Sequence, residues 1–352
     1  MIDRGELLRK LALNVARYSL LGPIAGSFLG GVGAILMLHR VTAARDESLG
    51  VNRHLTVAPD FLDALLTEIG RREYRFVSMD EAVDRLQART ASERFVTITA
   101  DDAYRDNVTE ALPVLEKHNA PITIYVAPGL IEGKVLLWWD VLEQVVLQRD
   151  TVQLPTPAGP LRFDCATPAE KVRANREIHD YLTCELREEE QVAVIRDLAA
   201  AAGIDPIAAN RATLMNWDEI RAAKAHPLVT IGAHTVHHYN LMRLSEDRAR
   251  REISDAAGIL EIELGARPGH MAYPYGYASA VGPREVELAR EAGYRSAVTT
   301  RHGLLQAEHA DHLHSLPRIS VNGRYQRIAH VRTMLSGITT PIANRGRRVV
   351  TI

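Results

Sequence analysis

Three short fragments of the sequence carry residue types that together could build a metal hydrolase. Each follows a predicted strand: an Asp-Asp pair at 101–102, a His-x-x-x-His pair at 234–238 and a Pro-Tyr-Gly turn at 274–276. Two carboxylates can supply a base and a ligand, two imidazoles can add ligands, and a turn can offer a backbone amide to a developing oxyanion. No fragment is diagnostic alone, because an Asp-Asp pair after a strand is most often a loop or cap feature.

The histidine spacing is the stronger of these signals. His234 and His238 are four residues apart, and residues at that spacing share one face of a helix. We therefore expect the two imidazoles to lie side by side and to bind one ion.

The composition limits the classes of partner. The 352 residues include 42 Lys and Arg against 44 Asp and Glu, a formal charge of −2 that argues against a nucleic-acid surface or a polybasic membrane anchor. Cys165 and Cys184 are too few for a disulfide framework or a thiolate zinc cluster, so we expect two structurally indifferent thiols.

The N-terminal segment, residues 1–33, has an amphipathic and partly apolar character. Leu7, Leu8, Leu11 and Val15 follow helical spacing among basic residues, which is typical of a helix lying on a membrane surface. Pro23 and several glycines interrupt the apolar run that follows. We expect a cytoplasmic protein or one peripheral to the inner membrane, with an uncleaved signal-anchor as the alternative.

Short β-rich runs alternate with helical segments, which is typical of an α/β architecture with parallel strands. We expect a distorted TIM-like (β/α) barrel of seven to eight strands over 34–325, a helical insertion at its rim over about 134–214, and a C-terminal helix and basic tail over 326–352. The predicted strands are Ala34 to Leu38, Arg75 to Val77, Phe95 to Thr99, Ile122 to Val126, Leu228 to Gly232, His270 to Tyr273, Arg295 to Thr299 and Ser315 to Val321.

Helix boundaries carry local signatures. A capping residue stands three positions before a glutamate in three places, which predicts a helix start at each. The pairs are Ser78 with Glu81, Thr167 with Glu170 and Asn216 with Glu219. Gly293 predicts the end of a helix that begins after Pro283.

In such a barrel the C-terminal ends of the strands converge on one face, where active sites lie. Polar residues stand at several of these predicted ends: Asp101, Asp102, His234, His238, Tyr275 and His39.

These motifs resemble those of the polysaccharide deacetylase family, the NodB-homology carbohydrate esterases. The family's Thr-Phe-Asp-Asp-Gly motif corresponds to 99–103, its His-[Ser/Thr]-x-x-His motif to 234–238, and its Arg-x-Pro-Tyr-Gly-like motif to 272–276. The resemblance covers roughly 34 to 325, interrupted by the helical insertion.

The resemblance implies a role for each matched residue. Asp102, His234 and His238 would bind a divalent metal, with zinc as the default and cobalt, nickel or manganese also compatible with the ligand set. Asp101 would be the general base toward the attacking water, and the backbone N–H of Tyr275 would help to bind the oxyanion.

The family takes its general acid from a histidine motif on the final strand. Here a matching segment, Ile35-Leu36-Met37-Leu38-His39, stands near the beginning of the chain. First and last strands are neighbours in a closed barrel, so a circular permutation can move the motif without moving it in space. This arrangement resembles the poly-N-acetylglucosamine deacetylases, and we expect His39 to be the acid rather than the later histidines His302, His309, His312 and His314.

Three positions depart from the family pattern. Ala103 replaces a glycine, which predicts a negative φ or an adjusted turn there. Ala100 replaces an aromatic residue. Ala272 stands where the family has an arginine that orients the base, and Arg318, at the end of another predicted strand, is the candidate to take its place.

The resemblance implies a metal-dependent N-deacetylase that acts on N-acetylglucosamine units of a poly- or oligosaccharide. Two alternatives stay open: an amide or cyclic-imide hydrolase with a small non-sugar substrate, and a non-catalytic carbohydrate-binding relative. Trp138 and Trp139 could stack on sugar rings, although packing within the insertion is the expected role. We expect His237 to point away from the ion.

Overall fold

Twelve strands and thirteen α-helices form the part of the chain that the computed structural model describes, residues 29–43, 48–89 and 93–352. The predicted N-terminal helix lies outside these residues. The strands are β1 Gly33–Leu38, β2 Arg40–Val41, β3 Thr56–Val57, β4 Arg75–Phe76, β5 Phe95–Ala100, β6 Ile122–Val126, β7 Thr151–Leu154, β8 Leu161–Asp164, β9 Val229–Ala233, β10 His270–Ala272, β11 Ser296–His302 and β12 Leu316–Ser320.

The helices surround these strands. They are α1 Pro59–Arg71, α2 Met79–Ala88, α3 Leu112–Lys117, α4 Pro128–Ile131, α5 Trp138–Gln148, α6 Pro168–Asp180, α7 Glu188–Ala202, α8 Pro206–Thr213, α9 Trp217–Lys224, α10 Glu246–Leu264, α11 Pro283–Glu291, α12 Ile328–Leu335 and α13 Thr339–Ala343.

Seven parallel strands close into a barrel in the order β1, β12, β11, β10, β9, β6, β5, and β5 pairs back to β1. Leu36 of β1 lies opposite Ile319 on one side and Ile98 on the other. The short β4 adds to the beginning of β5. The prediction of a distorted TIM-like barrel is confirmed, and all eight predicted strands belong to this sheet.

Burial on both faces explains why the barrel strands read as apolar runs. All six residues of β1 and of β5 are buried. One group of inward-facing side chains, including Ile35, Tyr125 and Val298, packs with α2. The outward-facing side chains pack against the surrounding helices, including the predicted stripe of α1, of which Leu62, Leu65, Leu66 and Ile69 are buried and Phe61 is half-buried.

The predicted caps are present. Ser78 accepts from the backbone N–H of Glu81, and Thr167 and Asn216 each form a reciprocal capping box with a glutamate three residues on. Gly293 follows the end of α11 with φ of +84°.

The insertion between β6 and β9 carries its own hydrophobic core, built by α5, α6, α7 and the hairpin β7–β8. The prediction for this segment was helical and did not include the hairpin. Cys165 is buried in this core and Cys184 is exposed, both as free thiols. Within the described residues, no helix is both long and apolar enough to span a bilayer.

Candidate active site

The chain leaves β geometry where β5 ends, as two adjacent carboxylates facing one site require. Asp101 still donates its backbone N–H to Leu38 O, but Asp102 has φ of +71°. Ala103 follows with φ of +56°, so of the two predicted alternatives, a negative φ or an adjusted turn, the alanine does not adopt the negative φ. Both aspartates are 2% exposed and therefore lie at the bottom of the site.

Asp102, His234 and His238 come together at the C-terminal face of the barrel, with one potential ligand atom of each within 4.8 Å of the others. Asp102 Oδ1 lies 3.6 Å from His234 Nε2 and 3.3 Å from His238 Nε2. His234 donates Nδ1–H to Ala272 O at 2.7 Å, which leaves Nε2 as its lone-pair nitrogen toward Asp102.

The two histidines do not share a helical face. They lie in an irregular segment after β9, where Thr235 has φ of +58° and His238 has φ of +56°. The expected proximity therefore has a different cause from the one predicted: a tight turn brings the ring centroids to 4.9 Å. His237, between them, hydrogen-bonds Glu252 through Nδ1 at 2.7 Å.

The buried carboxylate of Asp102 fits a cation site. Within the described residues, Asp102 Oδ1 has no hydrogen-bond partner, although it is fully buried. Burial and the neighbouring charge of Asp101 raise the pKa of Asp102 well above its usual range. A carboxylate oxygen without a partner, facing two imidazole nitrogens, is the donor set of a divalent ion.

Asp101 has a different environment, because Arg318 of β12 binds it. Arg318 Nη1 and Nη2 each donate to one carboxylate oxygen of Asp101 at 2.8 Å. The guanidinium is 1% exposed and is itself held by Thr299 O at 2.8 Å and Thr99 Oγ1 at 3.2 Å. Burial favours the protonated acid, but the charge and hydrogen bonds of Arg318 together with the charges of His234 and His39 outweigh it and lower the pKa of Asp101 below its usual range.

His39 ends β1 and lies between β5 and β12. Its Nε2 is 3.9 Å from Asp101 Oδ2, and its side chain is 21% exposed. Burial lowers the pKa of His39 to about 4, assisted by the Arg318 charge and opposed by the charge of Asp101. Asn107 donates Nδ2–H to His39 O at 2.7 Å.

The four later histidines lie elsewhere. His302 hydrogen-bonds Thr339, His309 hydrogen-bonds Val350 O, His314 hydrogen-bonds Tyr294 O, and His312 is exposed.

The Pro-Tyr-Gly turn lies beside the candidate ligands, with the Tyr275 ring 5.1 Å from the His238 ring between centroids. Tyr275 has φ of +61° and Gly276 has φ of +60°. Thr300 fixes the turn by donating Oγ1–H to Tyr275 O at 2.6 Å and its backbone N–H to Gly276 O at 3.1 Å. A Cβ at Gly276 would approach the Thr300 nitrogen to 2.5 Å, so only glycine fits. Within the described residues, the Tyr275 N–H has no acceptor.

The insertion contributes aromatic side chains to the rim. Trp139 is half-buried, lies 5.3 Å from the His238 ring between centroids, and donates Nε1–H to Tyr104 OH. Trp138 is 6% exposed and donates to Tyr275 OH at 3.3 Å, so it packs in the insertion core as expected. These contacts depend on docking of the insertion, for which the sequence holds no local signal.

The polysaccharide deacetylase family model matches residues 88–156 and 194–297. The chain belongs to the polysaccharide deacetylase family. The unmatched stretch falls within the insertion, which this member of the polysaccharide deacetylase family carries in the middle of the matched region. Asp101, Asp102, His234, His238 and Tyr275 lie in the matched parts, whereas His39 and Arg318 lie outside them.

Solved structures similar to this polysaccharide deacetylase share its fold at low identity. The deacetylase PplD of Streptococcus pyogenes, in complex with acetate, has 21% identity and a TM-score of 0.55 over 82% of this chain and 92% of its own. IcaB from Ammonifex degensii has 17% identity and a TM-score of 0.53, over 86% of this chain and 97% of its own. A de-N-acetylase from Aggregatibacter actinomycetemcomitans has 14% identity and a TM-score of 0.52, over 83% of this chain and 96% of its own. No curated protein sequence matches the chain.

Proposed function

We propose that this protein is a metal-dependent hydrolase that removes N-acetyl groups from N-acetylglucosamine units of a poly- or oligosaccharide. The single observation that carries the proposal is the unpartnered buried oxygen of Asp102, which faces His234 and His238. Membership of the deacetylase family and similarity in fold to a protein described as a de-N-acetylase support the reaction.

Asp102, His234 and His238 would hold the ion, for which zinc is the default and cobalt, nickel or manganese are alternatives. A divalent ion bound there supplies Lewis acidity, which polarises a carbonyl group and lowers the pKa of water. Two nitrogen donors and one carboxylate leave coordination positions open, as catalytic sites do.

Asp101 is the base in this proposal. The Arg318 charge keeps its carboxylate ionised at neutral pH, so Asp101 can take a proton from the water that attacks the N-acetyl carbonyl carbon. The same ion pair fixes the carboxylate plane, and each oxygen keeps a second lone pair that can accept a proton.

The Tyr275 N–H is the donor for the oxyanion that develops on the carbonyl oxygen. Its positive φ and the two hydrogen bonds from Thr300 hold this N–H before substrate binds. A donor that needs no reorganisation stabilises developing charge most effectively.

His39 returns a proton to the leaving nitrogen. Burial keeps the imidazole neutral in the resting protein, so His39 must first receive a proton. Asp101 Oδ2 is 3.9 Å away and holds the proton taken from water, which makes it the donor. As the C–N bond breaks, the protonated His39 gives that proton to the leaving nitrogen, and the glucosamine amine and acetic acid leave, the acid losing its remaining proton to solvent as acetate.

A non-catalytic relative is the weaker candidate. Its motivation was the alanine at position 272, which leaves the base without the arginine of the family pattern. Arg318 supplies that guanidinium from β12 instead. A hydrolase acting on a small non-sugar amide uses the same residues and differs only in substrate.

Acetate release from N-acetylglucosamine oligomers, measured together with the bound-metal content, tests the proposal. The wild-type protein should bind about one equivalent of metal and release acetate. Asp101→Asn should retain the metal and lose acetate release, and Asp102→Asn should lose the metal. Full metal occupancy without turnover of any acetylated sugar, together with turnover of a small amide, would support the small-molecule alternative.

A further inference from the structure

Tyr277 is an exposed aromatic residue beside the candidate site. It is 44% exposed, and among the Phe, Trp and Tyr side chains of the described residues it alone belongs to the exposed class. An exposed apolar residue is common on a protein surface, so its exposure alone indicates nothing. Its position close to the candidate metal ligands, described next, is what indicates a role in binding.

A line of rings joins Tyr277 to the candidate metal ligands. The His238 ring lies 5.1 Å from the Tyr275 ring, and the Tyr275 ring lies 6.0 Å from the Tyr277 ring, between centroids. Tyr275 and Tyr277 come from the same turn after β10. The exposed ring is therefore continuous with the site, one aromatic residue away from His238.

The backbone that carries Tyr277 is fixed. Tyr277 O accepts hydrogen bonds from the backbone N–H groups of Ala280 and Val281 at 2.9 and 3.1 Å. Met242, which is 45% exposed, packs against Gly282 immediately after this turn. Two exposed apolar side chains thus share one rigid corner of the rim, and a preordered surface loses little conformational entropy when a ligand binds.

Charged groups flank the ring. Glu188 of α7 and Arg243 form an ion pair at 3.2 Å, and both charges act on the Tyr277 hydroxyl. Glu188 also accepts the backbone N–H of Asn240 at 2.9 Å, which attaches the insertion to the barrel at this corner. An aromatic face with hydrogen-bonding groups at its edge matches a pyranose, whose faces carry C–H groups and whose edge carries hydroxyls.

We infer that Tyr277 is a stacking subsite for the pyranose next to the one that is deacetylated. This inference rests on the proposed function and adds that the substrate is an oligomer whose chain passes over the seam between barrel and insertion. A single ring flanked by an ion pair is too small for a protein interface, which requires a much larger contiguous patch.

Kinetics on metal-loaded protein with N-acetylglucosamine and its oligomers from dimer to hexamer test the subsite. Tyr277→Ala should raise KM for the oligomers about five- to tenfold, because a ring contact contributes that much binding, and should leave kcat, and KM for the monomer, which has no neighbouring pyranose, unchanged. Tyr277→Phe keeps the ring and should behave as wild type. Ile262→Ala, at an 83% exposed position on α10, is the matched surface control.

Oligomer binding to Asp101→Asn, with and without Tyr277→Ala, gives a second measurement that does not depend on turnover. Tighter binding of the dimer and longer oligomers than of the monomer, lost in the double variant, supports the subsite. A Tyr277→Ala effect equal for the monomer and the oligomers, or no effect at any length, overturns it. Failure of the wild type to release acetate, with length-dependent binding that requires Tyr277, would contradict the proposed function and support the subsite.

Discussion

Arg318 and Asp101 form a bidentate ion pair at the base of the site, with both N–O distances at 2.8 Å. They are 217 residues apart and come from β12 and β5, the two neighbours of β1 in the barrel. Ala272 on β10 occupies the position where the family pattern has an arginine. The guanidinium that holds the base therefore arrives from a different strand, and the site keeps the same pair of charges.

Replacing Arg318 by lysine should move the acidic limb of the pH–activity profile to higher pH. Arg318 lowers the pKa of Asp101, and lysine cannot form the two parallel hydrogen bonds, so the pKa rises and the ionised base is lost at a higher pH. We expect kcat/KM at neutral pH to fall roughly tenfold to a hundredfold. Profiles of kcat/KM against pH for metal-loaded protein provide the measurement.

Arg301→Lys is the matched control for this change. Arg301 donates to Val281 O and Thr351 O, away from Asp101, so its replacement should leave the acidic limb in place. An unchanged limb in Arg318→Lys would contradict the assignment of Asp101 as the base.

The two adjacent aspartates should respond oppositely to neutralisation in metal-free protein. Asp101→Asn leaves the buried Arg318 charge uncompensated and should lower the free energy of unfolding by about 3 kcal/mol. Asp102 has a raised pKa, so its charged form destabilises the metal-free fold at neutral pH, and Asp102→Asn should retain or gain stability, by about 1 kcal/mol. Urea unfolding at neutral pH measures both. An equal loss of unfolding free energy in Asp101→Asn and Asp102→Asn would contradict the different environments assigned to the two carboxylates.

His39→Ala should lower kcat by about a hundredfold to a thousandfold without loss of metal, because His39 is the proposed proton donor to the amine and does not belong to the ligand group. His314→Ala is the comparison, since His314 hydrogen-bonds Tyr294 O and should be dispensable for turnover. The measurement is acetate release with metal content determined on the same samples. A larger loss of kcat in His314→Ala than in His39→Ala would assign the role of general acid to His314 instead.

The ion pairs of Glu68 should make part of the stability dependent on pH. Hydrogen bonds from Arg332 of α12, and then from Arg72, lower the pKa of Glu68 to about 2 from the usual 4.5. The stabilisation is therefore complete above about pH 4.5 and disappears as the pH falls toward 2. Because both arginines are half-exposed, we expect Glu68→Gln to lose only about 1 kcal/mol at neutral pH.

The free energy of unfolding of wild type and Glu68→Gln, measured across this pH range, should converge at the acidic end. Glu93 is exposed and lies 3.9 Å from its arginine partner, so Glu93→Gln should follow the wild-type curve. A constant difference between Glu68→Gln and wild type at all pH values would show that the effect is not electrostatic.

Much of the fold follows from local sequence signals. The barrel strands are buried on both faces, so β5 and β6 read as short apolar runs rich in β-branched residues. The hairpin β7–β8 lacks this signal because half of its strand residues are exposed on a short edge pair: Gln153, Leu161, Arg162 and Asp164. Both strands therefore lie within the segment that the sequence predicts as a helical insertion.

The candidate site depends more on backbone conformations that the residue types do not reveal. A positive φ at Ala103 costs a non-glycine residue about 1–2 kcal/mol, and nothing in the residue type indicates it. The i, i+4 spacing of His234 and His238 suggested a helix, but positive φ at Thr235 and His238 produces the same proximity in a turn. Contacts such as Trp139 with His238 require the insertion to dock, a long-range event without a local pattern.

The position of β1 has a consequence for biosynthesis. The strand that carries His39 is made before the other barrel strands, yet one of its two partners, β12, is made last of all. A nascent chain that stops short of β12 has one edge of β1 unpaired and lacks Arg318, so its open edge invites misassembly. Barrel closure and the arrival of the guanidinium beside Asp101 both wait for β12, so a polypeptide truncated before this strand lacks the closed barrel and the charge that holds the carboxylate.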